Sequence, residues 1–526
     1  METTYLVLLI LLIIYIPLYI YVRKSEKAHD KGFVPYGPTI MIRTKWGLKL
    51  MDRLARYRRF WRFMGAVSLV ISAVLAVAIL TILIIDLTLL PSMFGRAGMG
   101  IEYALAIPGL NPVLPIVYGI IGLVFAMVIH EMAHGIQSRA NDIKVNSSGI
   151  LYGVVPLGAF VEPDEEETEK ASRRARMHVY AAGITTNTFA AIIVFAIMAF
   201  SMTGGLACDY SDNGAVYSMV SGTEAYDLDI DASSIIVKVG GEPVDMDGLI
   251  DKINMNQTSD LQRYDVEFLY KGDTYTHNMA LGACIGSVIS GSPADDAGFK
   301  KGTFITQMER VEENDVIVTK VINTPEEFSD FMSETTPGQT VRVTYYTYDS
   351  ETKTFSAKTV SDPITLDKNG SKGYLGIAMT ISGISFTTPQ AMLDAGIDPT
   401  YGREGIRDIS MGVLSYISQP FRGFSPIPES VTWWYESTTV SDEVFWIFIW
   451  TLYWIFWLDI VLAVSNALPA MPFDGGLLMM GALDWMFEKT GVKDPEERDR
   501  KVGRVGGLIS YTMLFILILV LVAIII

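Results

Sequence analysis

Six apolar stretches long enough to cross a lipid bilayer are the feature that most restricts the fold of this 526-residue chain. A membrane-spanning helix needs about 20 mostly apolar residues, because each residue rises only ~1.5 Å. The stretches are Tyr5–Val22, Met64–Leu90, Val113–Ser138, Val179–Met202, Val444–Leu468 and Val505–Ile526. The first has no basic leader and no small-residue cleavage site, so we interpret it as an uncleaved anchor. We therefore predict a polytopic α-helical membrane protein with six transmembrane helices.

Loop charge predicts which side of the membrane each loop faces. Short loops rich in Lys and Arg stay in the cytosol. The basic segments Arg23–Arg62, Arg139–Arg176 and Lys489–Arg504 would all face the cytosol. The segment Pro91–Pro112, which has one Arg, would face away from it. This arrangement places both termini and residues 204–443 outside the cytosol.

The acidic excess of the chain is confined to its middle. Between Gly204 and Val440 there are 34 acidic and 16 basic residues, a net charge of −18 against −17 for the whole chain. Nucleic-acid-binding domains carry the opposite charge, so no nucleic-acid partner is expected. Both cysteines, Cys208 and Cys284, lie in this segment. Their spacing leaves open whether they pair, and two thiols cannot complete a Cys-only zinc site.

This middle segment contains a β-rich internal repeat. The sequence from Gly214 parallels the sequence from Gly286, because each has a strand, a Ser-Gly turn, a short helix and a second strand. The pattern G-S-P-A-x-x-A-G-F-x-x-G, Gly291–Gly302, resembles a PDZ domain, whereas the first copy is degenerate. The loop GYLGI resembles the PDZ loop that binds peptide C-termini and comprises Gly373, Tyr374, Leu375 and Gly376, followed by Ile377. A β fold that serves only as a spacer explains the pattern equally well.

The third apolar stretch ends in the motif H-E-x-x-H, formed by His130, Glu131 and His134. A spacing of four residues puts both imidazoles on one face of a helix, where they can bind a zinc ion. Glu131 projects to the adjoining side and can act as base toward a water at the metal. Ionisable groups inside membrane helices are costly and generally functional. The alternative is a satisfied polar cluster in the core of a helix bundle.

Zinc needs a third protein ligand, and a carboxylate is the best candidate. The remaining histidines are poorly placed: His29, His178 and His277. The acids in or near the spans are Asp86, Asp459 and Asp474. Asp474 is favoured because Pro469 and Pro472 break the helix before it. Gly475 and Gly476 then let the backbone turn closely. The alternative is a solvated Asp in a cytosolic turn.

The two motifs together resemble the site-2 protease family of intramembrane zinc metalloproteases. H-E-x-x-H combines with N-x-x-P-x-x-x-x-D-G, Asn466–Gly475, although Phe473 stands where the family commonly has Leu. Gly183 and Asn187 match a Gly-x-x-x-Asn pattern in the next span. The stretch GILYGVVPLGAFV, Gly149–Val161, resembles the re-entrant β-loop of the family. PDZ-like insertions between core spans are also typical of it.

The resemblance implies a set of roles for these residues. His130, His134 and Asp474 would hold one zinc ion per chain, and Glu131 would be the general base. Asn466 or Asn187 would donate to the oxyanion or hold the substrate backbone, with an interhelical hydrogen bond as the alternative for both residues.

The β-loop offers strand edges to an unwound substrate. Gly153 and Gly158 can bend this loop, and an added substrate strand would replace the hydrogen bonds that the substrate helix loses. An ordinary cytosolic hairpin is the alternative. The expected site lies near the cytosolic side of the bilayer, from which water would enter.

Six segments follow from these patterns. They are 1–112, two transmembrane helices with a basic cytosolic loop; 113–203, the core helices with H-E-x-x-H and the β-loop; 204–285, a degenerate PDZ-like domain; 286–400, a PDZ-like domain; 401–443, a juxtamembrane segment with an aromatic belt at Trp433–Tyr435; and 444–526, the core helix with the Asp motif and the last transmembrane helix.

The expected function is regulated intramembrane proteolysis, with PDZ-like domains gating access. The expected partners are a single-span membrane-protein substrate, membrane lipid and peptide C-termini. Three rivals remain open: a membrane zinc protease whose third ligand is a Glu, a membrane scaffold with an inert core, and a metal transporter.

Overall fold

The long apolar stretches form helices, and runs of β-branched and aromatic residues between them form strands. The computed structural model describes residues 2–93, 101–104, 108–153, 156–312 and 316–525. Its helices are α1 Glu2–Lys24, α2 Glu26–Asp30, α3 Leu48–Ala55, α4 Arg58–Met93, α5 Ile116–Ala140, α6 Glu165–Lys170, α7 Arg173–Gly205, α8 Glu224–Asp227, α9 Met246–Asn254, α10 Pro293–Asp296, α11 Pro325–Ser333, α12 Pro389–Ile397, α13 Gly405–Ile417, α14 Asp442–Asn466, α15 Asp474–Lys489 and α16 Pro495–Ile525.

The strands divide between a small sheet and a large one. They are β1 Phe33–Tyr36, β2 Thr39–Thr44, β3 Val145–Tyr152, β4 Pro156–Pro163, β5 Leu206–Ala207, β6 Ala215–Met219, β7 Ile235–Val239, β8 Glu242–Pro243, β9 Gln262–Tyr270, β10 Asp273–Leu281, β11 Ala283–Val288, β12 Thr303–Val311, β13 Ile317–Val321, β14 Thr340–Asp349, β15 Thr354–Phe355, β16 Thr359–Val360, β17 Ile364–Thr365, β18 Asp367–Asn369, β19 Lys372–Tyr374, β20 Ile377–Ile381, β21 Ile384–Thr387 and β22 Glu436–Ser437.

Within the described residues, five helices are long and apolar enough to cross a membrane: α4, α5, α7, α14 and α16. The first predicted span, Tyr5–Val22, lies in α1, which is not among the five, so this span stays a prediction. Residue 526, the end of the last predicted span, lies outside the described residues. Helix α7 begins at Arg173, before the predicted span Val179–Met202, so His178 lies inside the helix.

The chain forms two compact units. One takes in the residues up to Gly204, Leu414–Pro426 and the residues from Val440 onward, and we call it the helical unit. The other takes in Gly205–Val413 and Ile427–Thr439, and we call it the outer unit.

In the helical unit, the β-loop is part of a four-stranded antiparallel sheet with the order β1-β2-β3-β4. Strand β2 pairs with β3 from Ile40↔Tyr152 to Thr44↔Ser148. The charge of Arg23–Arg62 predicts only a basic loop, whereas the structure has β1 and β2 within this segment. Pro35, Gly37 and Pro38 mask the alternation of apolar residues there, and pairing to a strand about a hundred residues later leaves no local signal. Residues 154 and 155 of the predicted β-loop lie outside the described residues.

The predicted helix break before Asp474 is confirmed. Helix α14 ends at Asn466, and α15 begins at Asp474. The two glycines allow the new helix to start close against the broken segment. A Cβ at Gly475 would lie 2.4 Å from the Ala467 carbonyl oxygen, and one at Gly476 would lie 2.6 Å from that of Ala470.

The outer unit contains the predicted repeat, β6-α8-β7 and β11-α10-β12. The first copy has its own core, which includes Val216, Leu249 and Phe268. The second core includes Ile285, Phe331 and Val343. Thr223 caps α8 and Ser292 caps α10, each through a side-chain oxygen that accepts the backbone N–H of the third residue of the helix.

One strand crosses between the copies. Strand β21 follows β20 of the second copy but pairs with β6 of the first, from Ile384↔Met219 to Thr387↔Ala215. The predicted boundary at residues 285 and 286 also falls inside β11.

The aromatic residues of the juxtamembrane segment pack within the outer unit, contrary to the predicted belt at a membrane interface. Trp434 donates its indole N–H to the Ser233 carbonyl oxygen at 2.8 Å, and the Tyr435 hydroxyl donates to the Pro389 carbonyl oxygen at 2.7 Å. Both side chains are buried. A polar partner inside a folded domain satisfies an indole or phenol as well as a lipid headgroup does.

Candidate metal and catalytic site

Helix α5 presents two imidazoles on one face, and the start of α15 brings a carboxylate to them. The Nε2 atom of His130 lies 3.1 Å from Asp474 Oδ2, and that of His134 lies 3.2 Å from the same oxygen. The imidazole rings are 4.8 Å apart between centroids. The predicted metal residues therefore meet, although one comes from a helix more than three hundred positions away.

Each imidazole is oriented by a partner on its other nitrogen. His130 Nδ1 lies 3.3 Å from Asn187 Oδ1, and His134 Nδ1 lies 2.8 Å from the Val179 carbonyl oxygen. An Nδ1–H that donates to oxygen leaves Nε2 unprotonated, which is the tautomer that binds a metal. Helix α7 therefore positions both histidines of α5.

Gly183 on α7 lies directly against the two rings. A Cβ built at this position would be 2.5 Å from His130 Nε2 and 2.7 Å from His134 Nε2. Any larger residue would occupy the space in front of the nitrogen atoms that face Asp474. The sequence pattern singled out Gly183, and the structure supplies the physical reason for a glycine.

Glu131 lies between the histidines in sequence and contacts the small sheet. Its Oε2 accepts a hydrogen bond from the Val161 backbone N–H at 3.0 Å. Among the described strands, β4 is paired on one side only, and its Val161 N–H points away from β3 toward Glu131. We call the side of β4 that faces away from β3 its open edge. Residues two apart in a strand point to the same edge, so the backbone groups of Ala159 line that edge too.

The donor set fits a zinc ion. Two imidazole nitrogens and one carboxylate oxygen, one from each of His130, His134 and Asp474, lie within 4.8 Å of one another. Two ligands at ~2.0–2.1 Å from a tetrahedral zinc are about 3.4 Å apart, close to the observed nitrogen–oxygen separations. Among the described residues, these three side chains form the group that can hold a metal ion. Neither Asp86 nor Asp459 belongs to it.

The two predicted asparagines differ in their surroundings. The Asn187 amide is engaged at both ends, because its Nδ2 also donates to the Ala126 carbonyl oxygen at 3.3 Å. This geometry favours the interhelical alternative. Asn466 Nδ2 donates to the Leu462 carbonyl oxygen of its own helix at 3.1 Å. A role in binding the oxyanion stays a prediction for both residues.

The two glycines of the β-loop also differ. Gly153 is buried at the end of β3, whereas the space around a Cβ at Gly158 on β4 is open. Gly158 therefore leaves the surface of β4 uncrowded, and substrate contact at either glycine stays a prediction.

A groove lies between α11 and β20 in the outer unit, where the GYLGI loop was singled out. The loop turns at Gly376, with φ of +88°, between β19 and β20. The groove encloses about 390 Å³, and its lining includes Phe328, Ser329, Met332, Ser333, Lys372 and Ile377. Strand β20 pairs with β11 along one edge, and among the described strands β21 meets its other edge at Ile381.

Two parts of the helical site were missed from sequence. Val161 was seen only as the end of the β-loop, and its contact with Glu131 had no local signal. Met51 of α3 packs under the site, because a Cβ at Gly135 would lie 2.6 Å from Met51 Sδ and 3.3 Å from Val161 Cγ1. The glycine one turn after Glu131 was the available hint of a close approach.

Comparison with known proteins agrees with this geometry. Residues 118–510 match the profile of peptidase family M50. The uncharacterized protein MJ0971 of Methanocaldococcus jannaschii is 34% identical over 206 residues, which are 39% of this chain and 53% of that protein. The chain thus spans about half the length of this curated relative.

Proposed function

Because this chain belongs to peptidase family M50, the family of the site-2 proteases, we propose that it is an intramembrane zinc metalloprotease. Its reaction would hydrolyse a peptide bond within or near the transmembrane segment of a membrane protein. The observation that carries this proposal is the convergence of His130, His134 and Asp474, with Glu131 beside them. The substrate class, a single-span membrane protein, is part of the proposal.

The residues divide the chemistry between them. A bound zinc ion would supply Lewis-acid polarisation of the scissile carbonyl and activation of a water. The Glu131 carboxylate accepts the proton of the attacking water and returns it to the nitrogen of the leaving amine. The Val161 N–H keeps this carboxylate on the side of the sheet edge. Asn187 and the Val179 carbonyl fix the orientation of the two imidazole rings through their Nδ1 atoms.

The open edge of β4 suits an extended substrate. A peptide bond in a transmembrane helix is hydrogen-bonded within the helix, and exposing it to lipid costs several kcal/mol per group. A substrate strand paired with the backbone of Ala159 and with the Val161 carbonyl regains such bonds and runs past Glu131, which keeps the Val161 N–H. The strand edge thus supports the proposal that the substrate unwinds as it binds.

The side of the membrane belongs to the same proposal. His130 lies in the C-terminal half of α5, and Asp474 follows the C-terminus of α14. Because these two residues meet, the C-terminal ends of both helices point to the same side of the helical unit. From His130 to the end of α5 at Ala140 is about 15 Å. With the basic loops in the cytosol, the site lies in the cytosolic part of the bilayer, and both termini and residues 204–443 lie outside.

The test is metal content together with cleavage of a single-span substrate by the full-length protein. We expect about one zinc per chain in the wild type and large losses in His134→Ala and Asp474→Ala, since two donors hold zinc poorly. Glu131→Gln should keep the zinc and lose ~100- to 10,000-fold in cleavage rate. Asp499→Ala, at an exposed position on α16, is the matched control and should keep both.

Each rival predicts a different result. Full zinc content in Asp474→Ala would point to a protease with another third ligand. A wild type without zinc that cleaves nothing would favour a scaffold. Cleavage at the wild-type rate by Glu131→Gln would remove the assigned base.

We propose a second function for the outer unit, namely binding of a peptide C-terminus in the groove between α11 and β20. Among the described strands, β21 pairs with the far edge of β20 only at Ile381, which leaves the rest of that edge for strand addition. The apolar side chains of Phe328, Met332 and Ile377 suit an apolar last residue. Lys372 at the rim has the charge that attracts a terminal carboxylate. Such binding would gate substrate access.

A groove-filling variant tests this second proposal. Ser329→Trp on α11 should abolish binding of a peptide with a free apolar C-terminus, since Ser329 lines the groove. Asp330→Trp, at the next position and exposed, is the matched control. Equal binding by both variants, or equal binding of the peptide with an amidated end, would contradict the proposal.

A further inference from the structure

Helix α1 is tied to the small sheet by two tyrosine hydroxyls. Tyr15 donates to the Pro38 carbonyl oxygen at 2.7 Å, and Tyr19 donates to that of Gly37 at 2.6 Å. Both acceptors lie in the turn between β1 and β2. The Tyr15 hydroxyl also lies 3.5 Å from the Tyr152 carbonyl oxygen at the end of β3. One helix therefore contacts the same end of both hairpins.

Apolar packing strengthens this contact. Tyr15 and Ile40 are buried in one cluster with Val22, and Tyr152 packs against it. The rings of Tyr15 and Tyr152 meet edge to face, with centroids 6.0 Å apart. Edge-to-face aromatic pairs contribute beyond their buried area. The contact between α1 and the small sheet, which we call the joint, thus combines apolar packing with two hydrogen bonds.

The joint leads through the sheet to the candidate active site. Strand β2, which follows the turn contacted by Tyr15 and Tyr19, pairs with β3 at five consecutive positions. Strand β3 pairs with β4 from Val145↔Pro163 to Tyr152↔Pro156. Strand β4 carries Val161, whose N–H is bonded to Glu131. A shift of the turn would therefore move the open edge of β4 relative to Glu131.

We propose that Tyr15 and Tyr19 are positioning residues, which hold the open edge of β4 in place for an incoming substrate strand. Helix α1 then belongs to the substrate-binding machinery, although it precedes the matched residues 118–510. An edge strand has neighbours on one side only, so its position depends on what fixes the rest of the sheet. The role in substrate binding rests on the proposed protease function.

Hydrogen exchange of the full-length protein tests the joint without relying on activity. In the Tyr15→Phe, Tyr19→Phe double variant, we expect roughly tenfold faster exchange at Tyr152, Gly158, Phe160 and Val161, because two hydrogen bonds are lost from a local opening reaction. Zinc content and melting temperature should stay at wild-type values. Tyr21→Phe is the matched control, since the Tyr21 side chain is 60% exposed on the same helix.

Cleavage measured in parallel separates this proposal from the protease function. The double variant should raise KM for a single-span substrate severalfold with little change in kcat, because the chemical groups are untouched. Unchanged exchange in β3 and β4 would overturn the proposal. So would faster exchange throughout the helical unit with a lower melting temperature, since the tyrosines would then serve only general stability. If the wild type cleaved nothing, the protease function would fail while the exchange data still decided whether the joint exists.

Discussion

Gly183 is the residue at which the candidate site is least tolerant of change. Its position on α7 leaves no room for a Cβ beside the Nε2 atoms of His130 and His134. The contacted atoms are the edges of the buried His130 ring and the partly buried His134 ring, which cannot move without losing their Nδ1 partners. The site thus depends on a missing side chain as much as on those present.

Gly183→Ala should lower zinc affinity by roughly 10- to 100-fold, the range typical of changes that disturb ligand orientation. Competition with a chelator measures this directly. Gly204→Ala is the matched control, since Gly204 lies on the same helix with open space around its Cβ. Equal zinc affinity in the two variants would show that the rings give way.

The reactivity of the two cysteines can be used to test how the interior of the outer unit is packed. Both are free thiols; Cys284 is fully buried, and burial raises its pKa to about 12. Burial also raises the pKa of Cys208, which is only half-buried. Because the thiolate is the reactive form, alkylation of Cys284 at pH 8 should be over ~1,000-fold slower than in the unfolded chain. Mass spectrometry of both sites before and after unfolding checks this, and rapid labelling of native Cys284 would contradict it.

The residues of the site were predictable where the signal is local. His130, Glu131 and His134 follow from helical spacing, and Asp474 follows from the Pro and Gly residues around it. Val161, Tyr15 and Met51 were not predictable, because their roles depend on tertiary contacts that any apolar or aromatic residue could make. Asn187 was found, but only the structure shows both ends of its amide engaged.

At the scale of elements, helix α15 is joined to α7 and α16 through one carboxylate. Asp484 accepts hydrogen bonds from Arg173 of α7 and Arg498 of α16. Burial raises the pKa of the Asp484 carboxyl, but these two partners outweigh burial and hold the pKa below its usual range. The network fixes the helix that begins with Asp474.

A depressed pKa gives a signed prediction for stability against pH. The stabilisation by Asp484 is present above the unfolded pKa of ~3.9 and is lost as pH falls through the lower folded value. Asp484→Asn should therefore melt below the wild type at pH 6, and the difference should shrink below about pH 4. Thermal melts of both proteins from pH 6 to pH 3 measure this. A difference that is constant with pH would mean that the carboxylate charge is irrelevant.

Some secondary-structure elements could be predicted from the sequence, and others could not. Long apolar runs and the helix break were clear from sequence, because hydrophobic length and Pro-Gly punctuation act locally. Strands β1 and β2 were not, since their pairing with β3 joins distant segments across a basic stretch. The pairing of β21 with β6 of the first repeat was not predicted, for the same reason.

At the scale of the whole molecule, the pairing of β6 with β21 offers a place to remove the outer repeats, although the removed residues include Ser233, the partner of Trp434. Ala215 pairs with Thr387, so a short turn can join them in place of the intervening residues. A deletion of Gly214–Asp367, by contrast, would leave β20 and β21 without their partners β11 and β6.

Joining Ala215 to Thr387 should leave zinc content unchanged, because the metal residues all lie in the helical unit. If the outer repeats gate access, the shortened protein should also cleave single-span substrates with larger extracytosolic domains. A panel of substrates that differ in this domain alone provides the measurement. A substrate range identical to that of the intact chain would contradict gating.

The sequence distance between His130 and Asp474, 344 positions, has a consequence for biosynthesis. A ribosome that has made α5 and α7 has still to produce the entire outer unit before the carboxylate emerges. A nascent or truncated chain therefore holds two imidazoles without their acidic partner. Under the proposed function, proteolysis therefore has to wait until α15 has been translated, and a chain that is still growing lacks one of its three metal ligands.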